Sequence, residues 1–110
     1  MRLTAEFLAK ALIRRVHDAG GSAAVLAKGD AMGGTILVLA VDRAKDPAFW
    51  ERGLGPDGKT ILIRTGPHDV DAQGVTDYWQ RRRRNDPDLW VIELDIAFAE
   101  RFAAETIAAD

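Results

Sequence analysis

The segment Gly53-Leu54-Gly55-Pro56-Asp57-Gly58-Lys59-Thr60 decides between two folds. Letter for letter it fits the phosphate-loop pattern G-x-x-x-x-G-K-[ST], which would make its surroundings a nucleotide-binding unit. Such a loop needs a buried strand before it and a helix after it, because backbone N–H groups and the helix N-terminus hold the phosphate. Here the preceding residues, Asp46-Pro47-Ala48-Phe49-Trp50-Glu51-Arg52, make a poor buried strand, and Ile61-Leu62-Ile63-Arg64 reads as a strand broken by Gly66-Pro67. Pro56 would also withhold one cradling N–H. The same letters make a good hairpin corner, since proline presets φ and glycine accepts positive φ. The flanking segments then run antiparallel, and triphosphate binding through Lys59 and Thr60 stays a distant third reading.

Outward from this corner, Lys59 to Thr65 reads as a strand in which Ile61 and Ile63 alternate with Leu62 and Arg64. Ala48 to Leu54 is a weaker strand before it. Thr35 to Asp42 is apolar on both faces, the pattern of a central strand buried on both sides. Ser22 to Lys28 is short and apolar and stops at Gly29-Asp30. The chain opens with a helix. Thr4 caps it, Leu8, Leu12 and Val16 recur every fourth residue, and Gly20-Gly21 ends it.

Downstream, Asp69 is placed to cap a second helix from Val70 to Arg84, with Val75, Tyr78, Trp79 and Arg82 at three- and four-residue spacing. Asn85-Asp86-Pro87 stops it. Asp88 to Ile96 alternates, with Trp90, Ile92, Leu94 and Ile96 on one face and Glu93 and Asp95 on the other. Phe98 to Ala109 reads as a third helix, with Phe98 and Phe102 one turn apart. The early connections are too short for parallel crossovers. The expected fold is a single α+β domain over residues 1–110, in the order α-β-β-β-β-α-β-α. Its first four strands form a meander in a mostly antiparallel four- to five-stranded sheet packed by two to three helices.

Composition narrows the chemistry. The 110 residues carry a formal net charge of -2, with 47% hydrophobic and 29% charged residues, a globular balance. The longest apolar run, Ile36 to Val41, falls far short of the ~20 residues that cross a bilayer. The start, Met1 to Glu6, lacks an export signal, and the chain has no cysteine. Disulfides, thiolate nucleophiles and cysteine metal sites are thereby excluded. The expectation is a cytoplasmic protein with no membrane segment.

Arg81-Arg82-Arg83-Arg84 is the most conspicuous charge feature. It suits phosphate, nucleic acid or an acidic partner, with Trp79 near enough to stack on a base. It equally suits a helix C-terminus, where cations are favoured. Residues 1–84 hold 14 basic and 10 acidic side chains and residues 85–110 hold 1 and 7, so Asp86, Asp88 or the final helix could pair with the arginines. His17 and His68 stand near Asp18 and near Asp69 and Asp71, but at no metal-ligand spacing, and Ser22 lies in no nucleophile elbow. Of the tryptophans, Trp90 and Trp79 read as packing residues and Trp50, beside Glu51 and Arg52, as an exposed anchor. No catalytic residue, cofactor or metal is expected.

Three stretches resemble a family of small bacterial proteins, domain-of-unknown-function family 1491. They are Arg2-Leu3 through Ala11-Leu12-Ile13-Arg14-Arg15, Lys28-Gly29-Asp30 before a Gly-Gly-Thr strand start, and Asp86-Pro87-Asp88-Leu89-Trp90-Val91-Ile92-Glu93. The resemblance spans most of residues 2 to 95 and fits least beyond Asp95. It implies a compact cytoplasmic bacterial protein and carries over no catalytic residue.

The leading functional expectation is a non-enzymatic interaction module, self-associating or docking an unidentified protein. Its candidate surface is Trp50, Trp79, Arg81, Arg82, Arg83 and Arg84. Two helices and a short third are expected to leave apolar sheet surface for a partner to cover. The alternative is nucleic-acid or polyanion binding through Arg81–Arg84.

Overall fold

β2 (Ile36–Asp42) lies in the middle of the sheet, and none of Ile36 to Val41 exceeds 8% exposure. Its unbroken apolar run requires cover on both faces, and both are covered. The computed structural model describes residues 3–108. Along the chain come α1 (Ala5–Asp18), β1 (Ser22–Ala27), β2, β3 (Lys45–Leu54), β4 (Thr60–Thr65), α2 (Ala72–Asn85), β5 (Trp90–Asp95) and α3 (Ala99–Ile107). The expected α+β class and element order hold. The end expected for the last helix, Ala109, lies outside the described residues, as does Arg2.

The sheet order is β1-β5-β2-β3-β4. β2, β3 and β4 form the expected meander, but β5 inserts between β1 and β2, antiparallel to the first and parallel to the second. The sheet is therefore mixed, and the four-strand meander is corrected to three. β5 and the Leu89 that leads into it carry apolar residues on both faces, Leu89 and Val91 on one and Trp90, Ile92 and Leu94 on the other, all buried. Burying each is worth about 1.5–3 kcal/mol. The cost of closing the longer crossover through α2 grows only logarithmically with length. Burial wins, and the strand goes inside.

The Gly53–Thr60 corner is a hairpin. Leu54 pairs with Thr60 and Gly53 with Ile61. Gly55 N–H donates to Lys59 O at 2.8 Å, Gly58 N–H to Gly55 O at 3.0 Å, and Lys59 N–H to the Asp57 carboxylate at 3.1 Å. Gly58 takes φ 79°, which glycine supplies without strain. A strand enters this turn and a strand leaves it, and these backbone donors serve the turn itself.

β3 starts three residues earlier than its apolar pattern suggests. Arg43 and Ala44 both take positive φ in the β2–β3 turn, an arrangement that usually demands Asn-Gly. The Asp95 carboxylate compensates by accepting their N–H groups at 2.7 and 3.1 Å. Pro47 falls where the β2–β3 ladder shifts register, a site that tolerates its missing N–H.

Each sheet face has its own core. On one, Ala5, Ala9, Leu12 and Val16 of α1 and Ala99, Ala103 and Ile107 of α3 pack on Ile36, Val38, Ala40, Trp90, Ile92 and Leu94. Alanines let the two helices come close, and Arg15 of α1 ties them by bonding Thr106 at 2.9 Å and pairing with Glu105. On the other, α2 presents Val75, Tyr78 and Trp79 to Leu37, Leu39, Val41, Phe49, Leu89 and Val91. Thr4 caps α1 as expected, accepting from Phe7 N–H at 3.1 Å. The cap of α2 is Asp71, 2.8 Å from Gly74 N, and not Asp69, which has φ 53° and lies outside the helix. Unlike Phe102, which packs on the core, Phe98 lies at the surface. It takes φ 57° just before α3 and is exposed, with the Arg101 guanidinium over its ring.

The expected uncovered central sheet is therefore not found. Apolar exposure lies instead at the margins, at Leu54 ending β3, at Ile61 and Ile63 of β4, and at Leu3, Phe7 and Met32 near the start of α1. No helix among the described residues is long and apolar enough to cross a membrane.

Candidate functional site

The candidate surface residues fall on opposite sides of the sheet. Trp50 stands opposite Val38 and Arg64 on the face that α1 and α3 cover. It is half-buried, with the Arg64 guanidinium 6.0 Å from its ring centroid. Trp79 and the arginines belong to α2, on the other face. They do not form one surface with Trp50.

The four arginines divide. Arg82 reaches Glu51 of β3 through both terminal nitrogens, at 2.6 and 3.2 Å, and Tyr78 Oη at 2.9 Å. The hydrogen bonds to Glu51 hold its guanidinium above the ordinary arginine range, with burial acting in the opposite direction. Arg83 donates to the Pro87 carbonyl. Arg81 lies over the Tyr78 ring at 5.9 Å and, like Arg84, is exposed. The partner of Arg82 is thus a strand carboxylate, neither Asp86, Asp88 nor the final helix. Two of the four cations are engaged inside the domain, and two project outward.

The stretches singled out by resemblance converge at one end of the sheet. Asp30 N–H donates to Asp88 O at 3.0 Å, Trp90 Nε1 to Asp30 O at 2.8 Å, and Trp90 N–H to Thr35 O at 2.8 Å. The Asp30 carboxylate accepts from Met32 and Gly33 N–H. Ala31 O and Met32 O in turn accept the first N–H groups of α1, from Glu6 and Ala5. Gly29 and Gly34 press on Asp88 O so closely that a Cβ on either would collide with it. Lys28-Gly29-Asp30, Gly33-Gly34-Thr35 and Asp86–Trp90 are therefore one structural knot.

Beside the knot opens a cleft of about 320 Å³, framed by α1, the 32–36 segment, Arg52 of β3 and Ile107 of α3. Sequence reasoning missed it. Its signals were the Gly33-Gly34 doublet before a strand and a cation, Arg52, on an otherwise core-facing strand side.

His17, His68 and Ser22 are exposed and isolated. Among the described residues, no three His, Asp or Glu side chains group as a metal site would need. Asp95, an acid at a strand end, serves the β2–β3 turn.

A family model described as "Protein of unknown function (DUF1491)" matches residues 3–104, continuing past Asp95 into α3. The crystal structure of a DUF1491 family protein from Caulobacter crescentus CB15 is 31% identical, with a TM-score of 0.80 over 92% of this chain and 94% of that one. The NMR structure of a DUF1491 family protein from the same organism is 32% identical, with a TM-score of 0.77 over 93% of each chain. A solution structure of a protein from A. tumefaciens is 31% identical, with a TM-score of 0.66 over 86% of each chain. No protein of curated function matches. Sequence and fold agree along nearly the whole length, and the chain belongs to the DUF1491 family.

Proposed function

We propose that this chain is a non-catalytic interaction module of the cytoplasm that pairs with a second copy of itself along β4. The observation that carries this reading is the regular, apolar edge of β4. Edge strands are ordinarily blunted by bulges, proline or charged side chains, lysine above all. β1, the opposite edge, has a register shift between Val25 and Ala27. β4 pairs with β3 without a shift, and Thr60 to Thr65 contains neither proline nor lysine; its one charge, Arg64, turns over the Trp50 ring on the sheet face. Ile61 and Ile63 are 41% and 36% exposed, and Leu54 at the corner is 73% exposed.

Ladder alternation says which groups a second copy would meet. The Gly55–Lys59 bond makes that pair a hydrogen-bonded one. Every second pair thereafter is bonded too, so the N–H and C=O of Thr60, Leu62 and Arg64 point away from β3. An antiparallel two-fold pairing centred on Leu62 sets Leu62 against its own copy and Thr60 against Arg64. Ile61 then faces Ile63 on the same sheet face in both halves, keeping Lys59 and Arg64 away from each other. Such self-complementarity is what a two-fold interface requires. A cysteine-free chain also suits a reducing compartment.

Amide exchange tests this reading. The Leu62 and Arg64 amides gain protection as protein concentration rises, while the outward amides of β1 do not. Exchange at Leu62 and Arg64 that is independent of concentration would overturn the proposal.

A further inference from the structure

The cleft beside the knot is a separate feature from the β4 edge. Its walls are Leu3, Ala5, Leu8, Met32, Ile36 and Ile107, with Gly33, Gly34 and Thr35 along one side. Leu3 and Met32 stand exposed at its margin, Met32 at 71%. The volume lies at the lower end of small-molecule sites. Among the described residues, Arg52 is the only charged one lining it, and no carboxylate shares the lining. Arg52 also makes no ion pair among the described residues.

Gly33 adds an independent observation. Its φ is not positive, and a Cβ built on it meets nothing within 4 Å. Neither backbone strain nor packing requires glycine there, in contrast to Gly34 next to it. What glycine provides at this position is unfilled space along the cleft wall.

A lining of apolar side chains on one side and the polar Gly33–Thr35 segment on the other, with one guanidinium and no opposing acid among the described residues, is complementary to a molecule with an aliphatic body and a single carboxylate. A guanidinium binds a carboxylate through paired N–H donors, while the apolar wall removes the aliphatic part from water. We infer that the cleft binds small aliphatic carboxylates, with Arg52 holding the carboxylate and Leu8, Ile36 and Ile107 taking the chain.

Octanoate, titrated into the isotope-labelled protein and followed by NMR, is the probe, with octanol as its uncharged counterpart. Saturable shifts confined to Gly33, Gly34, Thr35, Ile36, Arg52 and Ile107 are expected, with octanol bound at least about tenfold more weakly. Arg52→Gln removes the preference for octanoate over octanol but leaves octanol binding unchanged. Gly33→Leu fills the cleft and abolishes binding of both, while its unperturbed spectrum elsewhere shows the fold intact. Equal affinity for octanoate and octanol in the unmodified protein, shifts scattered over β4 or α2, or full binding by Gly33→Leu would each overturn the inference.

Discussion

Arg82 of α2 and Glu51 of β3 form a two-pronged ion pair, 2.6 and 3.2 Å, across the junction of α2 with the sheet. Around it, Tyr78 bonds the same guanidinium and its ring packs on Phe49 at 4.7 Å between centroids. One member of the arginine run is thereby a structural clamp, and its charge is not offered to a ligand. Because the Arg82 pKa is pushed upward, the arginine stays charged through neutral and mildly alkaline pH, and its contribution is lost only when pH climbs through the raised value.

A double-mutant cycle measures the clamp. Arg82→Ala and Glu51→Ala are each expected to lower unfolding stability by about 1–3 kcal/mol, with a coupling energy of about 1 kcal/mol or more between them. Arg81→Ala and Arg84→Ala, on exposed side chains, should stay within about 0.5 kcal/mol of the parent in urea unfolding.

The glycines of the knot separate by position. Gly29→Ala and Gly34→Ala force a methyl against Asp88 O and should cost about 2 kcal/mol or more, as overpacking does. Gly33→Ala, whose methyl meets open space, should be neutral within about 0.5 kcal/mol. Thermal or urea unfolding of the three variants side by side distinguishes them.

The β2–β3 turn carries strain that can be relieved. Replacing Arg43-Ala44 by Asn-Gly should stabilise the fold by about 1 kcal/mol, since both positions have positive φ. Asp95→Ala strips the turn of two backbone hydrogen bonds and should cost about 1–2 kcal/mol.

Nucleic acid, if retained at low salt, has few cations to meet on α2. With Arg82 and Arg83 engaged, Arg81 and Arg84 neutralise at most two phosphates, giving a slope of log K against log salt of about -2. A salt series on an immobilised oligonucleotide reads it. A slope several times steeper would mean that the clamp opens.

Much of this architecture was legible because its signals are local. Thr4, the apolar stripe of α1, the two-faced β2 and the Gly-Pro-Asp-Gly corner each decide their own segment, and all four read correctly. What escaped is non-local. Nothing near Trp90–Asp95 says that it lies beside β2 and not after β4, since only the sum of two buried faces places it. Asp69 and Asp71 are equal candidates as caps by residue type, and the left-handed turn at Asp69 decides between them. Glu51 lies 31 residues from Arg82, beyond any helix-spacing rule. Trp50 looked exposed because charged neighbours flank it, yet strand alternation turns it toward α1 and α3 and turns Glu51 the other way.

The self-pairing edge is tested most directly by sedimentation equilibrium of the parent chain and Ile63→Lys over a wide concentration range. The edge reading predicts that the parent mass climbs toward twice that of one chain. Ile63→Lys, with a charge placed in the pairing strip, should hold the single-chain mass while keeping the parent's circular dichroism. A parent that keeps the mass of one chain at millimolar concentration, or a lysine variant that associates as strongly as the parent, would contradict it.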